Sequence, residues 1–333
     1  MIKVGVIRGG PSAEYDISLA TGERILSVLR AEPLYNIYET IDILISKDGL
    51  WHSKGFEVEP ERIARNVDVV INAMHGAYGE DGKVQQLLDN LHIPYTGSGA
   101  FASALGMNKG LSKDEFHRMG IRTPRHILFH SYDVNLDGNI TEYSHRKARE
   151  AWEFLPPPWI VKPVFGGSSL GIYVCKKFED LENAFLLGAN THTAVLVEEM
   201  IEGKEASVSV IENFRGKELY TPPPIEIRLE DGKKCFDYES KYDGSMHLIC
   251  PGKFARDDIM ELERMAKLIH KEMNLRHYSQ SDFIVSPKKG IYALEVNTLP
   301  GLTLHSLFPR SIEDVGSSMS EFVDHIINLA LHK

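Results

Sequence analysis

The apolar run IKVGVI at residues 2–7 stops at the pair Gly9–Gly10, and beyond it Ile17, Ala20, Ile25, Val28 and Leu29 approximate a helical stripe. A second buried-strand pattern, VDVVINAMHG at 67–76, also ends at glycine and leads past Gly82 into the helical GKVQQLLDNL. Strand, glycine turn and helix in alternation predict a parallel α/β unit, where ligands gather at the carboxyl ends of the strands. From about Ala100 the texture changes. SALGMNKGLSKDEFHRMG predicts a helix, RTPRHILFH a turn and strand, and the polar DVNLDGNITEYSHRKAREAWEFLPPP a surface insertion with one helix. WIVKPV, FGGSSLG and GIYVCK then read as strand, glycine–serine loop and strand, followed by a helix at FEDLENAFLLGAN and a strand at TAVLVEEMI. The remainder mixes strands (EASVSVIEN, PIEIRL) with a long helix at DDIMELERMAKLIHKEM. SDFIV and YALEV, joined by SPKKG, form an antiparallel hairpin. The expected fold class is mixed α/β in three domains, 1–105, 106–205 and 206–333, without an internal repeat.

Candidate chemistry concentrates in LEVNTLPGLTLHS. In a strand, Glu295 and Asn297 share a face while Leu294 and Val296 point into packing. Alone, that pattern also describes a solvated edge strand. The hairpin changes the reading, because it brings Asp282 beside the Glu295–Asn297 face. Three oxygen donors, two of them acidic, suit Mg²⁺, which keeps waters and shares its other positions with substrate phosphates. A phosphate-binding partner is at hand in VKPVFGGSSLGI, where Lys162 precedes Gly166, Gly167, Ser168 and Ser169. Small residues let backbone N–H groups approach an anion, and hydroxyls add donors. An ordinary hairpin loop is the alternative there. The Walker A pattern is absent, which excludes a P-loop enzyme. The strand VLVEEMIEG puts Glu198 and Glu205 near one another beyond a bend, and both offer acceptors to a purine or ribose. GSGAFA at 97–102 fits the dinucleotide fingerprint only in letters, since the strand before it is poor and no acidic residue ends a second strand about twenty residues on.

With 43% hydrophobic and 25% charged residues over 333 positions, the composition is that of a soluble globular protein. A formal charge of -10 argues against nucleic acid or anionic membrane as partners, though not against small anionic ligands. Cys175, Cys235 and Cys250 lack paired spacing and read as reduced intracellular thiols. The VGVI run is too short for a signal-peptide core, and the expected location is the cytoplasm.

Taken in order, GGPSAEYDISL, HGAYGEDGKVQ, PYTGSGAFASALGMNK, VKPVFGGSSLGI, ESKY and LEVNTLPGLTLHSL resemble the D-alanine:D-alanine ligases of the ATP-grasp superfamily. The resemblance runs from the first strand almost to the C-terminus, and six ordered motifs are far more specific than any one. It implies an N-terminal substrate domain, with ATP gripped between a central and a C-terminal domain, and ligation of two D-alanines through an acyl phosphate for peptidoglycan precursors. It assigns Lys109 and Lys162 to the ATP phosphates, with Ser169 in the loop beside them, and Lys241 to the γ-phosphate. It assigns Glu198, Glu199, Ile201 and Glu205 to adenosine, and Asp282, Glu295 and Asn297 to Mg²⁺, with Mn²⁺ as a substitute. Glu14 would anchor the first D-alanine's ammonium with His75 nearby, and Ser168 and Tyr242 would join Glu14 in a hydroxyl network. Ser306 would hold the second substrate's carboxylate and the Gly301 N–H would face the oxyanion. Tyr242 favours a dipeptide product over a depsipeptide, and a homodimer is implied.

One position departs. Gln280 stands where the resemblance implies an arginine, two residues before the metal aspartate and on the same strand face. Losing a preorganised donor typically costs ~10²–10³ in rate. Arg276 shares the parity but lies about 13 Å along the strand. Gly166 also replaces a polar residue before GSS. Two other readings follow: an ATP-grasp ligase for a different amino-acid pair, and a nucleotide-binding protein with impaired chemistry.

Overall fold

The computed structural model describes residues 1–167, 171–190, 193–229 and 246–332. Its first sheet is built from β1 (Ile2–Gly9), β2 (Tyr38–Ile45), β3 (Trp51–Ser53), β4 (Phe56–Glu57) and β5 (Val69–Asn72) in the order β4-β3-β2-β1-β5. β1 runs parallel to both β2 and β5, as the alternating pattern requires. Val4 and Val6 pack with helix α1 (Tyr15–Leu29) on one face, and Ile7 packs with Val84 and Leu88 on the other. Burial on both faces is why β1 reads as a continuous apolar run. α2 (Pro60–Ala64) precedes β5, and α3 (Lys83–Asn90) follows the second glycine turn.

The single helix expected over SALGMNKGLSKDEFHRMG is two, α4 (Ala100–Met107) and α5 (Lys109–Arg118). Asn108 divides them. Its extended backbone breaks the first helix, and its side chain caps the second by accepting from the Gly110 and Leu111 N–H groups at 3.0 and 3.1 Å. The polar insertion likewise carries a four-residue turn of helix, α6 (Val134–Asp137), before α7 (Ile140–Phe154). The second sheet contains β6 (His126–Phe129), β7 (Trp159–Pro163), β8 (Tyr173–Cys175) and β9 (Val195–Glu199), in the antiparallel order β6-β9-β7-β8. α7 and α8 (Phe178–Asn190) cover it around Trp159 and Phe185.

The third sheet orders β13 (Met246–Ile249), β12 (Ile225–Leu229), β10 (Lys204–Phe214), β14 (Tyr278–Ser286) and β15 (Gly290–Asn297), with β11 (Lys217–Tyr220) beside β10. The expected hairpin is β14–β15. α9 (Arg256–Glu272) packs on this sheet through Leu262 and Ile269, and Ala102 of α4 and Phe116 of α5 join the same core. α10 (Leu307–Asp314) and α11 (Met319–Leu331) return to the first sheet: Phe322, Val323 and Ile326 pack with Val4, Val6 and Leu26. The joint is aromatic, with Phe322 lying 5.3 Å from Tyr278 and 4.9 Å from Phe308 between ring centroids. Phe322→Ala is expected to cost about 3–5 kcal/mol in urea unfolding, because a fully buried ring is lost where three elements meet.

Candidate active site

A cavity of about 840 Å³ opens where the three sheets converge, with Glu14 and His75, Lys162 and Glu198, and Glu205 and Asp282 in its wall. Glu14 comes immediately before α1, and its carboxylate lies against two glycines. A Cβ on Gly76 would stand 2.7 Å from Glu14 Oε2, and one on Gly167 would stand 3.1 Å from the same atom. The first glycine turn, the second and the glycine–serine loop therefore meet at one carboxylate. His75 is buried, with Nε2 2.9 Å from Thr21 Oγ1 and Nδ1 3.1 Å from Glu80 Oε1. Glu80 also accepts the Gly76 N–H at 3.2 Å, which ties the turn to the histidine.

Two lysines of α5 reach into the interior from successive turns. Lys109 Nζ donates to the Gly166 carbonyl and lies 3.5 Å from Glu295 Oε2, which joins the glycine–serine loop to the hairpin. Lys113 Nζ lies 2.9 Å from Glu198 Oε2 and donates to Thr123 Oγ1 at 2.7 Å. Lys162 Nζ lies 2.7 Å from the other oxygen of Glu198. Burial alone would raise the Glu198 carboxyl, but the two ammonium groups outweigh it and hold it well below the usual carboxylate range. Glu199 accepts the Arg125 N–H at 3.0 Å, and Ile201 and Glu205 line the cavity beyond it.

On the hairpin, Asp282 faces Glu295 and Gln280 faces Asn297 across the strands. Asp282 Oδ1 accepts from Ser207 Oγ at 2.6 Å and from Gln280 Nε2 at 3.4 Å, and Oδ2 accepts from Asn297 Nδ2 at 3.2 Å. The expectation for Leu294 is corrected. A bulge makes Phe283 pair with Ala293 directly after Asp282 pairs with Glu295, so Leu294 is the extra residue. It is half-buried and lines the cavity instead of entering the core. Arg276 is committed elsewhere, donating to the Gly97 carbonyl at 3.0 Å and stacking 4.8 Å over the Tyr95 ring. Gln280 is buried and its amide turns into the site, the direction expected from strand parity.

Ser306 stands at the start of α10, its Oγ accepting from the Thr303 N–H at 3.1 Å and lying 2.7 Å from Thr303 Oγ1. Gly301 is adjacent: a Cβ there would lie 2.8 Å from Ser306 Oγ. Arg24 of α1 clamps this loop through the carbonyls of Leu302 and Thr303.

Residues 53–98 match the family described as D-ala D-ala ligase N-terminus, and residues 116–328 match D-ala D-ala ligase C-terminus. The chain is 35% identical to D-alanine–D-alanine ligase B of Clostridium perfringens over 100% of its own length and 99% of the relative's. It belongs to the D-alanine–D-alanine ligase family. A D-alanine–D-alanine ligase of Halalkalibacterium halodurans is 34% identical, with full coverage of both chains. Among solved structures, the VanG D-Ala:D-Ser ligase of Enterococcus faecalis superposes with a TM-score of 0.82 at 26% identity, covering 99% of each chain. An ATP complex of the Bacillus anthracis D-alanine–D-alanine ligase superposes at 0.76 with 26% identity, covering 99% of this chain and 98% of that one. The mixed α/β, three-sheet architecture is the ATP-grasp fold of these ligases.

Of the family positions, the structure brings Glu14, His75, Lys162, Glu198, Glu199, Ile201, Glu205, Gln280, Asp282, Glu295, Asn297, Gly301 and Ser306 to one cavity, with Lys109 against Glu295. Ser168, Ser169, Lys241 and Tyr242 lie outside the described residues. Sequence reasoning missed Lys113, Glu80, Arg24 and Ser207. Lys113 carried a faint signal, four residues after Lys109 in one helical pattern, and Glu80 sits inside the quoted HGAYGEDG turn. Arg24 and Ser207 carried none, since their partners are remote in sequence.

The donor set fits a hard divalent cation. Among the described residues no three His, Cys, Asp or Glu side chains gather as a metal cluster. A metal here would therefore use two carboxylates and the Asn297 carboxamide oxygen, which faces inward when the amide turns over. Among the described residues no helix is long and apolar enough to cross a membrane.

Proposed function

We propose that this ligase joins two D-alanines into D-alanyl-D-alanine, converting ATP to ADP and phosphate, as a cytoplasmic homodimer supplying peptidoglycan precursors. One observation carries the reading: an anchor for an ammonium, the Lys162 ammonium, a metal-type donor set and a loop with an N–H and a hydroxyl share a single cavity, with Lys109 held against Glu295 of that donor set. Glu14, steadied by the glycines around it, takes the first D-alanine's ammonium and directs its carboxylate at the nucleotide. Lys109 and Lys162 meet the ATP phosphates, with Lys241 at the γ-phosphate. Glu198, Glu199, Ile201 and Glu205 frame adenosine. Asp282, Glu295 and Asn297 would hold Mg²⁺, which when bound neutralises phosphate charge and aligns the γ-phosphoryl group for transfer.

A carboxylate oxygen attacks the γ-phosphorus as the bond to ADP breaks, giving an acyl phosphate. The second amino acid, its carboxylate at Ser306, attacks the acyl carbon through its amine. The Gly301 N–H faces the oxygen that becomes anionic. Phosphate then leaves and the amine loses its proton. The hydroxyls of Ser168 and Tyr242 are assigned, with Glu14, the role of keeping water from the acyl phosphate.

A second reading, a ligase with a different acceptor, is favoured by Gln280, a neutral amide whose nitrogen is turned toward Asp282 at 3.4 Å. A panel of D-alanine, D-serine, D-lactate and L-alanine, read by phosphate release and product mass, separates the two. D-alanine is expected to give the fastest release and a dipeptide, EDTA to abolish it, and Gln280→Arg to raise kcat by about tenfold or more. Turnover with D-serine alone would select the second reading, and turnover with no amino acid would overturn both.

A further inference from the structure

We infer that Lys113 is a positioning residue: acting through Glu198, it keeps the Lys162 ammonium placed and available to the nucleotide. This rests on the reading that ATP occupies the cavity. Lys113 touches no part of that space, whereas Glu198 and Lys162 both line it. Its side chain is fully buried, and an ammonium is costly to bury unless it is paired. A methionine of similar volume would fill the position without that cost, so the charge itself needs a reason.

The geometry supplies one. Glu198 offers Oε1 to Lys162 at 2.7 Å and Oε2 to Lys113 at 2.9 Å, while Lys113 is held from its far side by Thr123 Oγ1 at 2.7 Å. Among the described residues no group is hydrogen-bonded to Glu198 Oε2, so the Lys113 ammonium meets that oxygen as an ion pair and is its compensating charge. Two ammonium groups around one carboxylate sum to a charge of +1. With Lys113 behind it, the carboxylate is already compensated from the protein side, and Lys162 keeps a positive field toward the cavity. Without Lys113, Glu198 and Lys162 form a neutral pair in a low-dielectric wall, and the carboxylate is free to rotate about its terminal torsion. Burial draws Lys113 down to about 8, with Glu198 opposing that shift, so the ammonium form prevails at neutral pH. Lys109 and Lys113 are one helical turn apart, so the cap at Asn108 that registers α5 sets both contacts at once.

The test is a double-mutant cycle of Lys113→Met and Glu198→Gln, read by calorimetric Mg-ATP affinity, KM for each substrate, kcat and melting temperature. Lys113→Met is expected to weaken Mg-ATP binding and raise its KM by about tenfold, a loss of about 1.4 kcal/mol, with kcat and the D-alanine KM within about twofold. In the Glu198→Gln background the same change is expected to add less than about twofold. An unaltered Mg-ATP affinity in a folded Lys113→Met protein, or an equal loss in both backgrounds, would overturn the inference. Thr123→Val, which removes only the outer support of Lys113, covers the case in which Lys113→Met does not fold. It is expected to raise the Mg-ATP KM by about threefold, and no change would count against the inference. Absence of Mg-ATP binding in the wild type would instead sink the functional reading.

Discussion

Glu295→Ala is expected to lower D-alanine-dependent ADP release by about a hundredfold to a thousandfold, the size of effect seen when a preorganised electrostatic group is removed from a reacting centre. Glu295 is one of the two carboxylates in the donor set, and it faces the other, Asp282, directly across the hairpin. Its loss leaves one carboxylate and one amide, which halves the protein's charge on a divalent cation that sheds its waters reluctantly. It also releases Lys109, whose ammonium lies 3.5 Å from Glu295 Oε2 and also donates to the Gly166 carbonyl of the glycine–serine loop. The remaining aspartate is anchored independently by Ser207 at 2.6 Å, so the hairpin itself should survive the change. A coupled ADP assay across a wide Mg²⁺ range measures it, with circular dichroism to confirm folding. Activity within about tenfold of wild type would mean that these donors do not hold the metal.

The strand–turn–helix alternation exposed the parallel sheet, and hydrophobic parity at SDFIV and YALEV exposed the hairpin that juxtaposes Asp282 with Glu295. Both patterns are local, with the side-chain period written into consecutive residues. The bulge at Leu294 was invisible for the same reason: periodicity assumes uniform pairing, and an extra residue on one strand appears only when the partner strand is counted against it. Asn108 escaped notice because apolar spacing continues across it, although its side chain is a strong cap. Lys113 went unremarked, because a buried ammonium is intelligible only through Glu198, which arrives from a strand 85 residues later in the chain. The return of α11 to the first sheet was equally unreadable, since an amphipathic helix records that it packs but not against what.

Gly76→Ala should separate the anchoring of the first substrate from the rest of the chemistry. Gly76 has φ +72°, where an L side chain is strained, and an added methyl would overlap Ser12 Oγ and stand 2.7 Å from Glu14 Oε2. Relief requires either the turn or the Glu14 carboxylate to move. The turn is held by the Gly76 N–H on Glu80 at 3.2 Å and by the Glu80 N–H on the Gly76 carbonyl at 2.9 Å. The carboxylate is the softer of the two, so it is the group displaced. The expected result is a rise of at least about tenfold in the KM of the first D-alanine, which corresponds to about 1.4 kcal/mol of lost anchoring, with the Mg-ATP KM little changed. Gly49→Ala is the matched control, since its φ is +87° but nothing lies within 4 Å of the added carbon. It should carry only the backbone strain, about 1–2 kcal/mol in unfolding, and leave both KM values alone. Equal kinetic effects from the two substitutions would show that strain alone is felt, and that Glu14 is not the group this turn positions.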